Sequence, residues 1–204
     1  MKKFIGIMLT ISFALMLAVC TTQERTADTR TASAAAEKAD DVVEFISGTF
    51  SHRNFTTGYV NDDMIQQILA AGHQAGSAGN QQHWHFTVVR NRELIDQIMQ
   101  NVDEGNVLIV GLGPNESRFP QDIIVFDNAL AMQNMFLTAQ ALGLGTRMYM
   151  RPLQNLNQNL LHRLGAPANY RAIMILRIGQ ITEIDAVTQA SPRHPLETRI
   201  NFIE

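Results

Sequence analysis

The chain has 204 residues, 46% hydrophobic and 17% charged, enough for one globular domain with a substantial core. A formal net charge of −3 excludes a global attraction to nucleic acid, and no nucleic-acid partner is expected. The single cysteine excludes an internal disulfide, so packing must supply the stability.

Met1-Lys2-Lys3 is basic, and Phe4 to Val19 is an uncharged apolar run. At about 16 residues that run falls short of the roughly 20 a membrane span needs, and it reads as an export signal. It ends Leu17-Ala18-Val19-Cys20, which resembles a bacterial lipobox with Cys20 as the residue to be acylated. Val19 departs from that pattern, and ordinary cleavage nearby, with Cys20 incidental, is the alternative. The expected localisation is outside the cytoplasm, periplasmic or as a membrane-anchored lipoprotein that meets the membrane only through its lipid. Residues 1–20 are thus the export signal. Residues 21–37 are small and polar and read as a flexible tether, and 38–204 form the domain.

Within the domain, Val42 to Ile46 is a short amphipathic turn or helix. Asn61 or Asp62 can cap a helix with Met64, Ile65, Ile68 and Leu69 on one face, ending near Gly72 or Gly76. The stretch Ser77-Ala78-Gly79-Asn80-Gln81-Gln82-His83-Trp84 puts a small-residue turn and an amide pair before an alternating strand, Trp84 to Val89. Such amides, beside a backbone that Gly79 leaves open, suit a planar hydrogen-bonding ring. Trp84 itself reads as core. His83 and His85 lack acidic or cysteine company, and no metal is expected.

Asn91 caps a helix with Leu94, Ile95, Ile98 and Met99 facing in. Val107 to Leu112 is a continuous apolar run, as in a strand covered on both faces. Asp122 to Leu142 is the longest helix, its face carrying Phe126, Leu130, Met135, Phe136, Leu137 and Leu142, wider than one stripe and so expected to be buried on most sides. Gly143-Leu144-Gly145 ends it, Leu153 to Leu164 is a further helix, and Ala172 to Ile178 is a third strand. Helices interleaved with strands around a central helix predict an α+β fold in α/β/α-type layers.

Five segments resemble the FMN-dependent nitroreductase family. They are Thr49-Phe50-Ser51-His52-Arg53-Asn54-Phe55, Ala75 to Trp84, the helix from Asp127 through Gln133-Asn134-Met135 to Leu142-Gly143-Leu144-Gly145-Thr146, Leu164-Gly165-Ala166-Pro167, and Pro192-Arg193-His194-Pro195-Leu196-Glu197. The resemblance implies a nitroreductase-like fold with a mixed sheet, a homodimer, and one FMN at each interface site. It implies contacts from Ser51, His52, Arg53, Gly145, Thr146 and Arg193, with Ser77, Asn80 and Gln82 reaching the partner's flavin. Arg53 would lie by the N1/O2 edge, where a fixed cation stabilises the reduced ring. Arg193 would bind phosphate.

The chemistry implied is ping-pong hydride transfer from a small-molecule donor, NAD(P)H or another, to nitroaromatic or quinone acceptors. The flavin carries it, with no catalytic side chain. Departures from the family are Thr49 for an arginine, Ser191 for a lysine, and Gly76 and His83 for prolines. Each missing phosphate cation removes a charge-assisted bond worth roughly 1.5–3 kcal/mol. His52 and His194 are candidates to replace them. If turnover is weak, the alternative is an exported flavin- or ligand-binding lipoprotein of the same fold.

Overall fold

Two asparagines start two of the helices. Asn61 Oδ1 accepts the Asp63 N–H at 2.7 Å to open α2, Asp62–His73. Asn91 Oδ1 accepts the Leu94 N–H at 2.8 Å to open α3, Arg92–Ile98. Both bonds satisfy amides that the first turn leaves without a helical partner. The computed structural model describes residues 38–182 and 191–203. Cys20, the export signal and the tether lie outside the described residues. The chain divides into two compact units, one ending at Gly48 and one beginning at Thr49. In the first, 38–48 form a helix, α1, which includes the amphipathic stretch from Val42 to Ile46.

The second unit holds a four-stranded sheet in the order β1-β2-β4-β3. Its strands are β1 His85–Val89, β2 Val107–Pro114, β3 Gly145–Tyr149 and β4 Tyr170–Gly179. All three pairings are antiparallel, so among the described residues the sheet is not the mixed one expected from the sequence. The apolar run in β2 does mark a strand covered on both faces, but the cover comes from helices packed on both sides of antiparallel strands. Val107, Ile109, Leu176 and Ile178 face Ile65 and Ile68 of α2 and Met132, Met135 and Phe136 of α4, Gln121–Ala141. Leu108, Val110, Leu112 and Ile175 face Leu94, Ile95 and Ile98 of α3 and Leu156, Leu160 and Leu164 beyond β3. The register shifts between Gly111 and Leu112, leaving Ile173 of β4 unpaired. That bulge is why Ile173 and Met174, adjacent in sequence, pack into the same layer.

Three sequence expectations change here. Phe126 and Leu130 of α4 are 62% and 53% exposed, not buried. The helix instead buries Ile124, Asn128, Ala131, Met132, Met135 and Ala139, whose alanines let it press close to the sheet, and Phe126 and Leu130 fall off that stripe. Gly145–Tyr149, of which the sequence assigns only Gly145, to the helix end at Gly143-Leu144-Gly145, is the edge strand β3. The segment Leu153 to Leu164, α5, is not one regular helix. It opens α-helical at Leu153–Asn155, widens to a π-turn at Leu156–Leu160 and tightens to 3₁₀ at Leu161–Leu164. Within it the Asn157 amide pairs with both the N–H and the C=O of Ala172, drawing the helix onto β4.

Candidate functional site

The residues singled out in the sequence fall into two groups. The first gathers at the start of β3. His52 N–H donates to the Thr146 carbonyl at 2.9 Å, and Thr146 N–H donates back to His52 Nδ1 at 3.2 Å. Gln140, at the end of α4, donates from Nε2 to the Phe50 carbonyl at 2.9 Å and to Thr146 Oγ1 at 2.7 Å. Gly145 is required by close approach, since a Cβ there would come within 2.3 Å of Ile181 and 3.2 Å of Phe55. His52 and Thr146 are buried, while Ser51 and Arg53, on either side of His52, are exposed. The buried ring thus fixes where its two polar neighbours stand. Arg53 Nη2 donates to Ser191 Oγ at 3.1 Å, which joins the C-terminal segment bearing exposed Arg193 to this group.

Burial lowers the pKa of His52 below its ordinary value. An Nδ1 that accepts a backbone N–H also suits the neutral ring. His52 therefore does not replace a missing phosphate cation; it builds the site from behind. His194 is exposed.

A second support was not legible in the sequence. The buried Arg177 guanidinium lies 4.0 Å from the Phe55 ring centroid. It donates to Asn106 Oδ1 at 2.8 and 2.9 Å, to Asp103 Oδ2 at 2.6 Å and to the Asn101 carbonyl at 3.2 Å. Asn106 Nδ2 in turn donates to the Thr56 carbonyl at 3.0 Å. A buried cation with this many partners ties the 101–106 loop to the chain that carries Ser51 and Arg53.

The second group is the turn from Ser77 to Gln82. Gly79, Asn80 and Gln82 all have positive φ, of 58°, 54° and 49°. For glutamine this is an uncommon, strained conformation. It is held by Ser77 Oγ, which accepts the Gln82 N–H at 2.9 Å, and by Asn80 Oδ1, which accepts from Gln82 Nε2 at 3.2 Å. From below, the buried Asp127 of α4 accepts the Ala78 N–H at Oδ1, 3.1 Å, and binds His83 Nδ1 at Oδ2, 3.2 Å. The other ring nitrogen, His83 Nε2, lies 3.2 Å from Ser117 Oγ. His85 turns elsewhere, edge-on to Tyr170. Trp84 is buried as expected, stacked on Phe86, with Nε1 donating to His73 Nδ1 at 3.3 Å.

Asp127 clamps the turn and Gln140 clamps the first group, about 13 residues apart on one helix, or roughly 20 Å at 1.5 Å per residue. Within one chain the two groups are anchored to opposite halves of α4.

A model of the nitroreductase family matches residues 46–107. A protein of Archaeoglobus fulgidus provisionally named NADH dehydrogenase/NAD(P)H nitroreductase is 30% identical over 148 residues, covering 69% of this chain and 85% of that one. The chain belongs to the nitroreductase family. A Bacteroides fragilis nitroreductase solved with bound FMN superposes with a TM-score of 0.66 at 22% identity, over 80% of this chain and 98% of that one. One from Desulfitobacterium hafniense, also solved with FMN, gives 0.66 at 20% identity, over 79% and 97%. These likenesses establish the nitroreductase fold, with its α+β layers. Both residue groups belong to segments that carried the family resemblance, whereas Ser117, Asp103, Asn106 and Arg177 were missed. Their partners lie 34 to 76 positions away in sequence, beyond any local pattern.

Proposed function

We propose that this nitroreductase-family protein is an FMN-dependent oxidoreductase. It oxidises a small-molecule donor such as NAD(P)H and then reduces a nitroaromatic or quinone acceptor at the same site. The observation that carries this reading is the convergence of Ser51, Arg53 and Ser191 beside β3, with Arg193 two residues further on. A guanidinium and hydroxyls on exposed backbone, next to a strand start with no side chain at Gly145, form a donor set that fits a phosphate and the electron-rich edge of a flavin ring. Arg53 would stabilise negative charge on the reduced ring, and Arg193 and Ser51 would hold the phosphate. FMN, when bound, supplies the two-electron exchange; the protein binds it, orients it and limits access to it.

The anchoring of the two groups about 13 residues apart on α4 supports a homodimer in which the Ser77–Gln82 turn of one chain completes the site of the other. The exposed Phe126 and Leu130 on α4, with Phe202 and Ile203 near the C-terminus 85% and 99% exposed, supply apolar surface for such an assembly. Export, with Cys20 as a lipid anchor, rests on the leader sequence. In that compartment the electron donor would be a redox partner or another reductant in place of cytoplasmic NAD(P)H.

One observation favours a second reading, a flavin- or ligand-binding lipoprotein with little turnover. Thr49 and Ser191 stand where the family has phosphate cations, and Ser191 Oγ accepts from Arg53 without adding charge. The experiment that separates the readings is the visible spectrum of the full chain, soaked in FMN and desalted, before and after a donor is added. A retained oxidised-flavin band that bleaches with the donor and returns with a quinone supports the enzyme. A band that never bleaches supports the binding protein, and no retained band defeats the enzyme and leaves the binding protein only a ligand other than flavin.

A further inference from the structure

His83 stands where the family places a proline, and the structure gives it three partners that a proline could not have. Its Nδ1 donates to the buried Asp127 carboxylate at 3.2 Å, since a carboxylate can only accept. Its Nε2 is thereby left to face Ser117 Oγ at 3.2 Å. Ser117 is held in place by the Phe119 N–H, which donates to Oγ at 3.2 Å. The Phe119 ring meets His83 edge-on at 5.7 Å and carries the Arg118 guanidinium 5.0 Å from its centroid. A Cβ on Gly79 would stand 3.4 Å from Phe119 and 3.7 Å from Arg118, so the 117–119 loop is the wall of the strained turn. The side chains of His83 and Asp127 are 10% and 5% exposed, whereas Ser117 is exposed. The chain of bonds thus runs from a buried carboxylate, through an imidazole, to a surface hydroxyl in the loop that walls the turn at Gly79. The charged groups around the imidazole are Asp127 on α4 and, across the Phe119 ring, Arg118.

We propose that Ser117, His83 and Asp127 form a proton relay for the acceptor, with Ser117 as the group that touches it. The inference rests on the oxidoreductase reading. Reduction of a quinone to a hydroquinone takes one hydride and one proton, and reduction of a nitro group to a nitroso group and water takes the same. FMN, when bound and reduced, would supply the hydride. The Ser117 hydroxyl gives its proton to the acceptor oxygen and takes one from the His83 imidazolium at Nε2. Solvent then reprotonates His83, while Asp127 stabilises the cation and keeps the ring in register. The sequence alone assigned the protein no catalytic side chain, and this relay supplies one. His83 is a positioning and proton-carrying residue that acts through Ser117.

The test uses the full chain loaded with FMN, photoreduced without oxygen and mixed rapidly with a small benzoquinone. His83→Gln keeps hydrogen bonds to both neighbours but cannot carry the proton, and Ser117→Ala removes an exposed hydroxyl without opening the core. Each is expected to slow flavin reoxidation about 100-fold and to abolish its solvent deuterium effect, with the FMN spectrum unchanged. In the flavin-free protein, nitrogen-15 spectra of the imidazole should show His83 protonated at Nδ1, and Asp127→Asn should remove that signature. Wild-type reoxidation in both variants, or a His83 protonated only at Nε2, overturns the relay and leaves the oxidoreductase reading intact. A chain that binds no FMN defeats the oxidoreductase reading instead, and with it the relay's role.

Discussion

The two halves of the candidate site are built in opposite ways. The group around β3 is fixed from within: a buried histidine, a fully buried threonine and a buried arginine hold Ser51 and Arg53 through backbone and core contacts. The Ser77–Gln82 turn is largely exposed and strained, and it is kept in shape by bonds among its own side chains and by one carboxylate beneath it. Damage to the first half should therefore be felt as lost stability. Damage to the second should be felt chiefly as lost ligand geometry.

The sharpest way to break the first half is Asn106→Ala. It strips two acceptor contacts from a buried guanidinium and the donor to Thr56, and should cost about 3 kcal/mol in urea unfolding. The matching change below the turn is Asp127→Ala, which leaves the Ala78 N–H and His83 without their acceptor. It should cost about 2 kcal/mol and weaken FMN binding more than Asn106→Ala does, as read by flavin titration.

Acid should separate the halves further. Because burial lowers the His52 pKa in the folded state, the unfolded chain binds that proton more readily. The contribution of His52 is complete above its unfolded value of about 6.5 and fades as pH falls below it. Denaturation midpoints measured across that range should drop for the wild type, and the drop should shrink in His52→Asn, whose amide oxygen can still accept from Thr146. The smallest effect expected is a gain: Gln82→Gly relieves a positive φ and should stabilise the chain by about 0.5–1 kcal/mol while weakening flavin retention.

Much of the framework was legible in the sequence because its signals are local. Asn61 and Asn91 cap helices as their positions imply, and the run from Val107 to Leu112 is a buried strand. Edge strand β3 was missed because Gly143-Leu144-Gly145 reads as a helix stop and leaves only a short, partly exposed segment after it. Phe126 and Leu130 were placed inward because hydrophobicity alone does not say which side of an apolar helix meets the sheet. The motif segments led to Ser51, Arg53, Asn80 and Gln82, but not to what holds them. His52 meets Thr146 across 94 positions and Asp127 meets His83 across 44. Only the fold brings such pairs together, and a histidine in a motif looks the same whether its ring faces a ligand or the core.

The claim that these two halves form one flavin site across a two-fold axis is tested most directly by subunit mixing. One chain carries Arg53→Ala and the other Asp127→Ala, and the two are unfolded, mixed in equal amounts and refolded with FMN. A site shared between chains predicts that each parent alone binds FMN poorly while the mixture regains about a quarter of wild-type sites, because each mixed dimer pairs one intact half with the other. Recovery no greater than the average of the two parents would contradict the shared site and confine FMN binding to a single chain.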